Sequence, residues 1–213
     1  MTTDPALLLH QWLSPSFPVG AFSYSHGLEQ AVAEGAIHDA ASAQDWIRTA
    51  LEHGAGLSDA ILLAAAWRRG GGALDELTEL ARAFAPSAER LAEADRMGAA
   101  LASALRALHG HDLPDAPYPV VLGRAARLSD VPLPLTLRLS LQAFAATLVS
   151  AAIRLVPLGQ TEGQAITLAL APLIEELAEE AAPGDIDRIG TCAFALDIAS
   201  MRHETLTTRL FQS

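Results

Sequence analysis

The chain has 213 residues, 22.4 kDa and 51% hydrophobic content, enough for a real core in one or two domains. Its formal net charge of -11 and pI near 4.9 exclude a ligand held by clustered positive charge, so nucleic acid is not expected as a partner. All 14 basic residues are arginine, which excludes a Walker A lysine, a Schiff-base lysine and the phosphate-pairing lysine of kinases; nucleotide chemistry would have to come from a partner.

Ala and Leu dominate and apolar residues recur at three and four, so the expected fold is all-α: a single compact helical bundle of roughly eight to ten helices over residues 1–213. The first residues lack the positive region and cleavage pattern of a signal peptide. Asp4 as N-cap with Pro5 after it opens a short helix that buries Leu8, Leu9, Trp12 and Leu13, and Pro15 ends it. Ser14 to Glu29 then packs Pro15, Pro18, Gly20 and Gly27 around Phe17, Phe22, Tyr24 and His26. Proline fixes φ and glycine frees it, so this loop has one defined shape and is a site or a packed hinge.

Ser23 or Ser25 can cap a second helix, with Glu29 near its positive end and Gly35 as its stop. Ser42 with Asp45 resembles a capping box and opens a long helix with buried Ile47, Leu51, Leu57 and Ile61, ended by the glycine run 70–72. A helix through Leu74, Leu77, Leu80 and Phe84 follows, and Pro86 with Ser87 opens another through Leu91 to Leu108. Prolines 114, 117 and 119 make His111 to Pro119 a linker. Further helices are expected near Val120–Leu128, from Pro134 to Val156, from Glu162 to Ala181 with a kink at Pro172, and from Ile186 to Ser200. The longest uncharged run, between Arg138 and Arg154, falls short of the roughly 18 to 20 residues of a spanning helix. A soluble cytoplasmic protein with no membrane contact is therefore expected.

Ser23, Ser25 and His26 raise the alternative of a helical serine-dependent hydrolase or small-molecule-binding protein. The nucleophile elbow needs G-x-S-x-G after a strand, whereas here Ser23 stands in place of the first glycine and a helix precedes the turn. His109 and His111 are two apart and His38 adjoins Asp39, so no pair has the i, i+4 spacing of two ligands on one helix face. The acidic pairs Glu175-Glu176 and Glu179-Glu180 read as a solvated face, and Cys192, the only cysteine, as an inert core thiol in a reducing compartment. No catalytic, cofactor or metal residue is assigned. The last segment, 201–213, mixes charged, apolar and hydroxyl residues up to Leu210 and Phe211. Apolar anchors on a mobile end suggest a tail that orders on a partner, and a tail packed on its own domain is the other reading.

The run from Leu9 through Trp12-Leu13-Ser14-Pro15-Ser16-Phe17-Pro18-Val19-Gly20 to Gly27-Leu28-Glu29 resembles the amino-terminal signature of the UreF family of urease accessory proteins. Met201-Arg202-His203-Glu204-Thr205, with Arg209-Leu210-Phe211 and Ser213, resembles its carboxy-terminal signature. The chain departs from the family's common pattern at Phe22, at Tyr24 to His26, and at Thr207 and Gln212. The resemblance implies an all-α homodimer that is not itself a catalyst. It would join the UreD protein (also called UreH) and the UreG GTPase on urease apoprotein, and nickel and carbon dioxide would be delivered as UreG hydrolyses GTP. Nickel and GTP would be handled by the complex. The expected partner-binding residues are Pro18, Gly20, Phe22, Tyr24, Ser25, His26, Gly27 and Glu29 toward the GTPase, and Arg202, His203, Glu204, Arg209, Leu210 and Phe211 toward UreD.

Overall fold

The computed structural model describes residues 3–69, 74–190 and 192–213, and these form ten α-helices with no strand among the described residues. Helix α1 (Pro5–Trp12) starts where its cap directs: the Asp4 side chain accepts the Ala6 N–H at 2.8 Å. It buries Leu9 and Trp12 completely, and each such side chain contributes about 2 kcal/mol of hydrophobic stabilisation. After a 3-10 turn at Ala21–Ser23 comes the short α2 (Leu28–Ala33), followed by Gly35 at φ 78°.

The expected long helix from Ser42 is two helices, α3 (Ala40–Glu52) and α4 (Ala55–Arg69). Asp39, not Ser42, is the N-cap: its carboxylate accepts the Ser42 N–H at 2.8 Å, and the Ser42 hydroxyl accepts the Asp39 N–H at 3.1 Å. The break falls at His53 and Gly54, and the freed His53 carbonyl accepts the N–H of Cys192 at 3.0 Å. Periodicity ran through this break because both helices present their apolar faces to one core. The glycine stop at 70–72 lies outside the described residues.

Helices α5 (Leu74–Ala83) and α6 (Ala88–His109) follow, with Ser87 capping α6 by accepting the Arg90 N–H at 3.1 Å. After the proline linker come α7 (Tyr118–Leu128), α8 (Leu133–Leu155) and α9 (Gln160–Ala181), which continues through Pro172. The last expected helix is shorter than its apolar pattern: Ile186–Arg188 is a 3-10 turn, and α10 begins only at Phe194 and ends at His203. Cys192 consequently lies on an irregular segment and is exposed, not a core thiol.

Helix α4 is the centre of the bundle and packs on α3, α5, α7, α8 and α9. Its crossing with α7 is close because of Gly123, where an added Cβ would stand 2.2 Å from the Leu63 carbonyl oxygen. Helix α8 is long and apolar enough, by length and composition, to cross a membrane, which the uncharged run alone did not predict. Its buried Leu137, Leu141, Ala145, Leu148 and Ala152 pack with α9, α4, α3 and α2, which accounts for it as a core helix. Helix α10 lies on α2 and α6, beside the ring-rich loop.

Candidate partner-binding site

The loop and the tail, 188 residues apart at Ser25 and Ser213, form one joint. The main-chain N–H of Ser25 donates to the Ser213 carbonyl oxygen at 2.7 Å, and the N–H of Gln212 donates to the Ser23 carbonyl at 2.7 Å. The Ser25 hydroxyl donates to the same Ser213 oxygen. Glu29, at the start of α2, organises the rest: its buried carboxylate accepts the N–H groups of Leu210 at 2.7 Å and Phe211 at 3.0 Å. Both ring nitrogens of the fully buried His203 face carboxylates, Nε2 toward Glu29 at 3.0 Å and Nδ1 toward Glu89 at 2.7 Å. Arg209 pairs with the other oxygen of Glu89 at 2.6 Å.

Local backbone conformation makes this approach possible. Gly27 has φ +75°, and an added Cβ would lie 2.7 Å from the Ser200 nitrogen, so only glycine lets the loop touch α10. Gly20 also has φ +75°, but in open space. Glu204 accepts the Ala88 N–H at 3.0 Å, tying the end of α10 to the start of α6. Arg202 pairs with Glu34 at 3.1 Å. Phe211 is buried, with the Arg154 guanidinium 4.7 Å from its ring centre.

Beneath the loop lies a charged cluster that sequence reasoning missed. His26, at φ 54°, places Nε2 3.1 Å from Glu93 and 3.1 Å from Arg90, and Arg90 and Glu93 also pair directly. The Ser213 hydroxyl donates to Glu93 at 2.9 Å, so the tail reaches the same cluster. Burial alone would raise the Glu93 carboxyl, but Arg90 and His26 outweigh it and hold it at about 2. Burial first and Arg90 second push His26 below the usual histidine value, which leaves the ring neutral at pH 7. Burial, with the Glu93 charge behind it, raises the Tyr24 phenol.

The structure thus brings all the expected residues to one region but divides their roles. Tyr24, Ser25, Gly27, Glu29, His203 and Phe211 are buried and hold the joint together, with His26 largely enclosed beside them, while Pro18, Phe22, Arg202, Glu204, Arg209 and Leu210 are exposed. Gly20 lies between. Ser25 is fully buried with its proton directed to Ser213, and the His26 Nε2 faces Arg90 and Glu93. The nucleophile and base of the hydrolase alternative are not paired. Among the described residues no three His, Cys, Asp or Glu side chains are grouped to hold a metal ion.

A second feature absent from the sequence reading is the outer face of α10. Phe194, Ile198 and Met201, spaced four and three apart, are 73%, 46% and 51% exposed, and Leu210 in the tail is exposed too. The same spacing describes a core stripe, so periodicity could not reveal which face is left uncovered.

These two ends of the chain, joined through Ser25, Glu29 and Ser213, are the parts that carry the family signatures, and comparison with known proteins agrees. A family profile, UreF, matches residues 37–171. The chain belongs to the UreF family of urease accessory proteins. It is 57% identical to a urease accessory protein UreF of Cereibacter sphaeroides strain KD131 over 207 residues, covering 97% of this chain and 98% of that protein. The protein of that name from Roseobacter denitrificans is 52% identical over 213 residues, all of this chain and 96% of the relative. That of Jannaschia sp. is 44% identical over 211 residues, 99% of this chain and 96% of the relative. The profile begins after α2 and ends inside α9, so the loop–tail joint lies outside the matched span, whereas the full-length relatives extend across it.

Proposed function

We propose that this chain is a non-catalytic scaffold in urease maturation, a cytoplasmic homodimer that joins a UreD-like protein and a UreG-like GTPase on urease apoprotein. Nickel is cargo of that complex and GTP is hydrolysed by the partner, in keeping with a chain that has no lysine for P-loop chemistry. The observation that carries the reading is the loop–tail joint: buried Glu29 and His203 tie the tail to α10 and leave Leu210 exposed, while Phe194, Ile198 and Met201 are exposed on α10 itself. An exposed apolar stripe on one helix, with exposed Arg202 and Glu204 at its carboxy-terminal end, has the composition of a protein-docking surface. The UreD-like protein docks there, and the loop side at Pro18 and Phe22 serves the GTPase.

Co-expression with UreD-like and UreG-like proteins and urease apoprotein tests this. The full chain is expected to co-purify with both and to support GTP-dependent urease activation. Ile198→Asp is expected to leave the fold intact, since the side chain is 46% exposed, and to lower recovery of the UreD-like protein at least about tenfold, the effect of losing a hot-spot contact. Undiminished recovery with that variant and with Met201→Asp would remove α10 from the contact.

A further inference from the structure

A cavity of about 250 Å³ lies beneath the loop, between the end of α1 and helices α4, α6, α7 and α8. Its walls are apolar, with Trp12, Leu63, Met97, Leu122, Leu141 and Phe144 among them. It exceeds the roughly 150 Å³ space that suffices to hold a benzene ring. One end is polar, where Asp59, Arg90, Glu93, His26 and Tyr118 converge.

The charges at that end do not cancel. Arg90 is committed to Glu93, and His26 is kept neutral by burial and by Arg90. Asp59 is left over: its nearest cation is Arg90 Nη2 at 3.9 Å, it makes no hydrogen bond among the described residues, and its side chain remains 39% accessible. Burial lifts its carboxyl to about 6, against the pull of Arg90 and with the push of Glu93. At pH 7 it is still predominantly a carboxylate, with no hydrogen bond to the described protein groups, at the edge of an apolar space. A cationic ligand would give this carboxylate the close partner that Arg90, at 3.9 Å, does not. Tyr118, raised by burial and then by Asp59, stays a neutral phenol beside it.

We propose that this cavity is a binding site for a small organic cation, an apolar body ending in an ammonium or guanidinium group. The head pairs with Asp59 and reaches the Tyr118 oxygen, and the body fills the space lined by Phe144, Leu122 and Met97. An anion would meet the surplus negative charge, and a wholly apolar guest would leave Asp59 unpartnered. The site is independent of the docking surface on α10, so its failure would leave the scaffold reading untouched.

Calorimetric titration of the full chain with phenethylammonium, phenethyl alcohol and phenylacetate tests it at pH 7.5. Phenethylammonium is expected to bind saturably, and about tenfold or more tighter than the alcohol or the acid, the value of a charge-assisted hydrogen bond. Asp59→Asn is expected to remove that preference while the alcohol binds as before. The unmodified protein gives a second measurement: affinity for phenethylammonium falls below about pH 6 as Asp59 protonates, while that for the alcohol does not. The groups facing Asp59 are charged Arg90 and Glu93 on α6 and the neutral, titratable Tyr118 on α7 and His26 on the loop. Arg90 and Glu93 keep their charge over this pH range, and protonation of His26 would weaken cation binding in the same direction. The Asp59→Asn titration separates the two. Absence of saturable binding, equal binding of phenylacetate, or a preference that survives in Asp59→Asn overturns the proposal.

Discussion

Two glycines with the same backbone angle have different consequences at residue scale. Gly20 and Gly27 both sit at φ +75°, but only Gly27 abuts another element, with its missing Cβ 2.7 Å from the Ser200 nitrogen. Gly20→Ala meets backbone strain alone, about 1 kcal/mol. Gly27→Ala adds a clash against main chain that cannot move without shifting α10, and is expected to cost about 3 kcal/mol. In a chain of this size that corresponds to a melting temperature lower by roughly 6–12 °C, against 2–4 °C for Gly20→Ala. Thermal melts of the two variants side by side check this, and equal losses would mean that the loop does not press on α10. The same contact explains why Glu29, two residues later, can reach the tail amides.

At the scale of elements, the tail after α10 is held by a set of polar contacts and one large apolar anchor. Glu29 takes two of its N–H groups, Glu89 takes Arg209, Ser23, Ser25 and Glu93 bond Gln212 and Ser213, and beyond α10 Phe211 is its one large buried side chain. Phe211→Ala removes that anchor together with the Arg154 guanidinium stacked on it. Because the tail contributes little to the core around α4, its release is local. Hydrogen exchange is expected to show Leu210 to Ser213 losing protection by about a hundredfold, the equivalent of roughly 3 kcal/mol, while amides of α4 exchange as before. A uniform loss across the bundle would instead make the tail part of the global fold.

For the whole molecule, pH acts through two carboxylates with shifts of opposite sign, buried Glu93 and partly exposed Asp59. Glu93 is depressed from 4.5 to about 2, so its stabilisation is fully present above 4.5 and is lost as pH falls toward 2. Asp59 is raised from 3.8 to about 6, so its ionised form costs stability above pH 6, and that cost is gone below 3.8. Asp59→Asn is therefore expected to raise the melting temperature at pH 7 and to leave it unchanged near pH 3.5. Glu93→Gln is expected to lower it at pH 7, with the difference shrinking toward pH 2. Melting curves from pH 2 to pH 8 decide the matter, and a shift in either variant that did not vary with pH would contradict this assignment. His26, pushed below 6.5 by burial, adds to the loss of stability once pH drops below that value.

What the sequence alone determined was local. Helical class, the caps at Asp4 and Ser87 and the stop at Gly35 follow from contacts within a turn or two, and the two signatures were legible as unusual letters at opposite ends. Where two local signals competed, at Asp39 against Ser42 and at Gly54 within one apolar pattern, the stronger cap and the packing of Cys192 on His53 settled the boundary. Tertiary structure alone decided that loop and tail meet, that Phe211 faces inward while Leu210 faces out, that Phe194, Ile198 and Met201 are uncovered, and that Asp59 borders a cavity with only a long contact to Arg90. The reason is physical: amphipathic spacing specifies that a face is apolar, but whether a neighbour covers it depends on contacts between residues as far apart as Ser25 and Ser213, which no local pattern encodes.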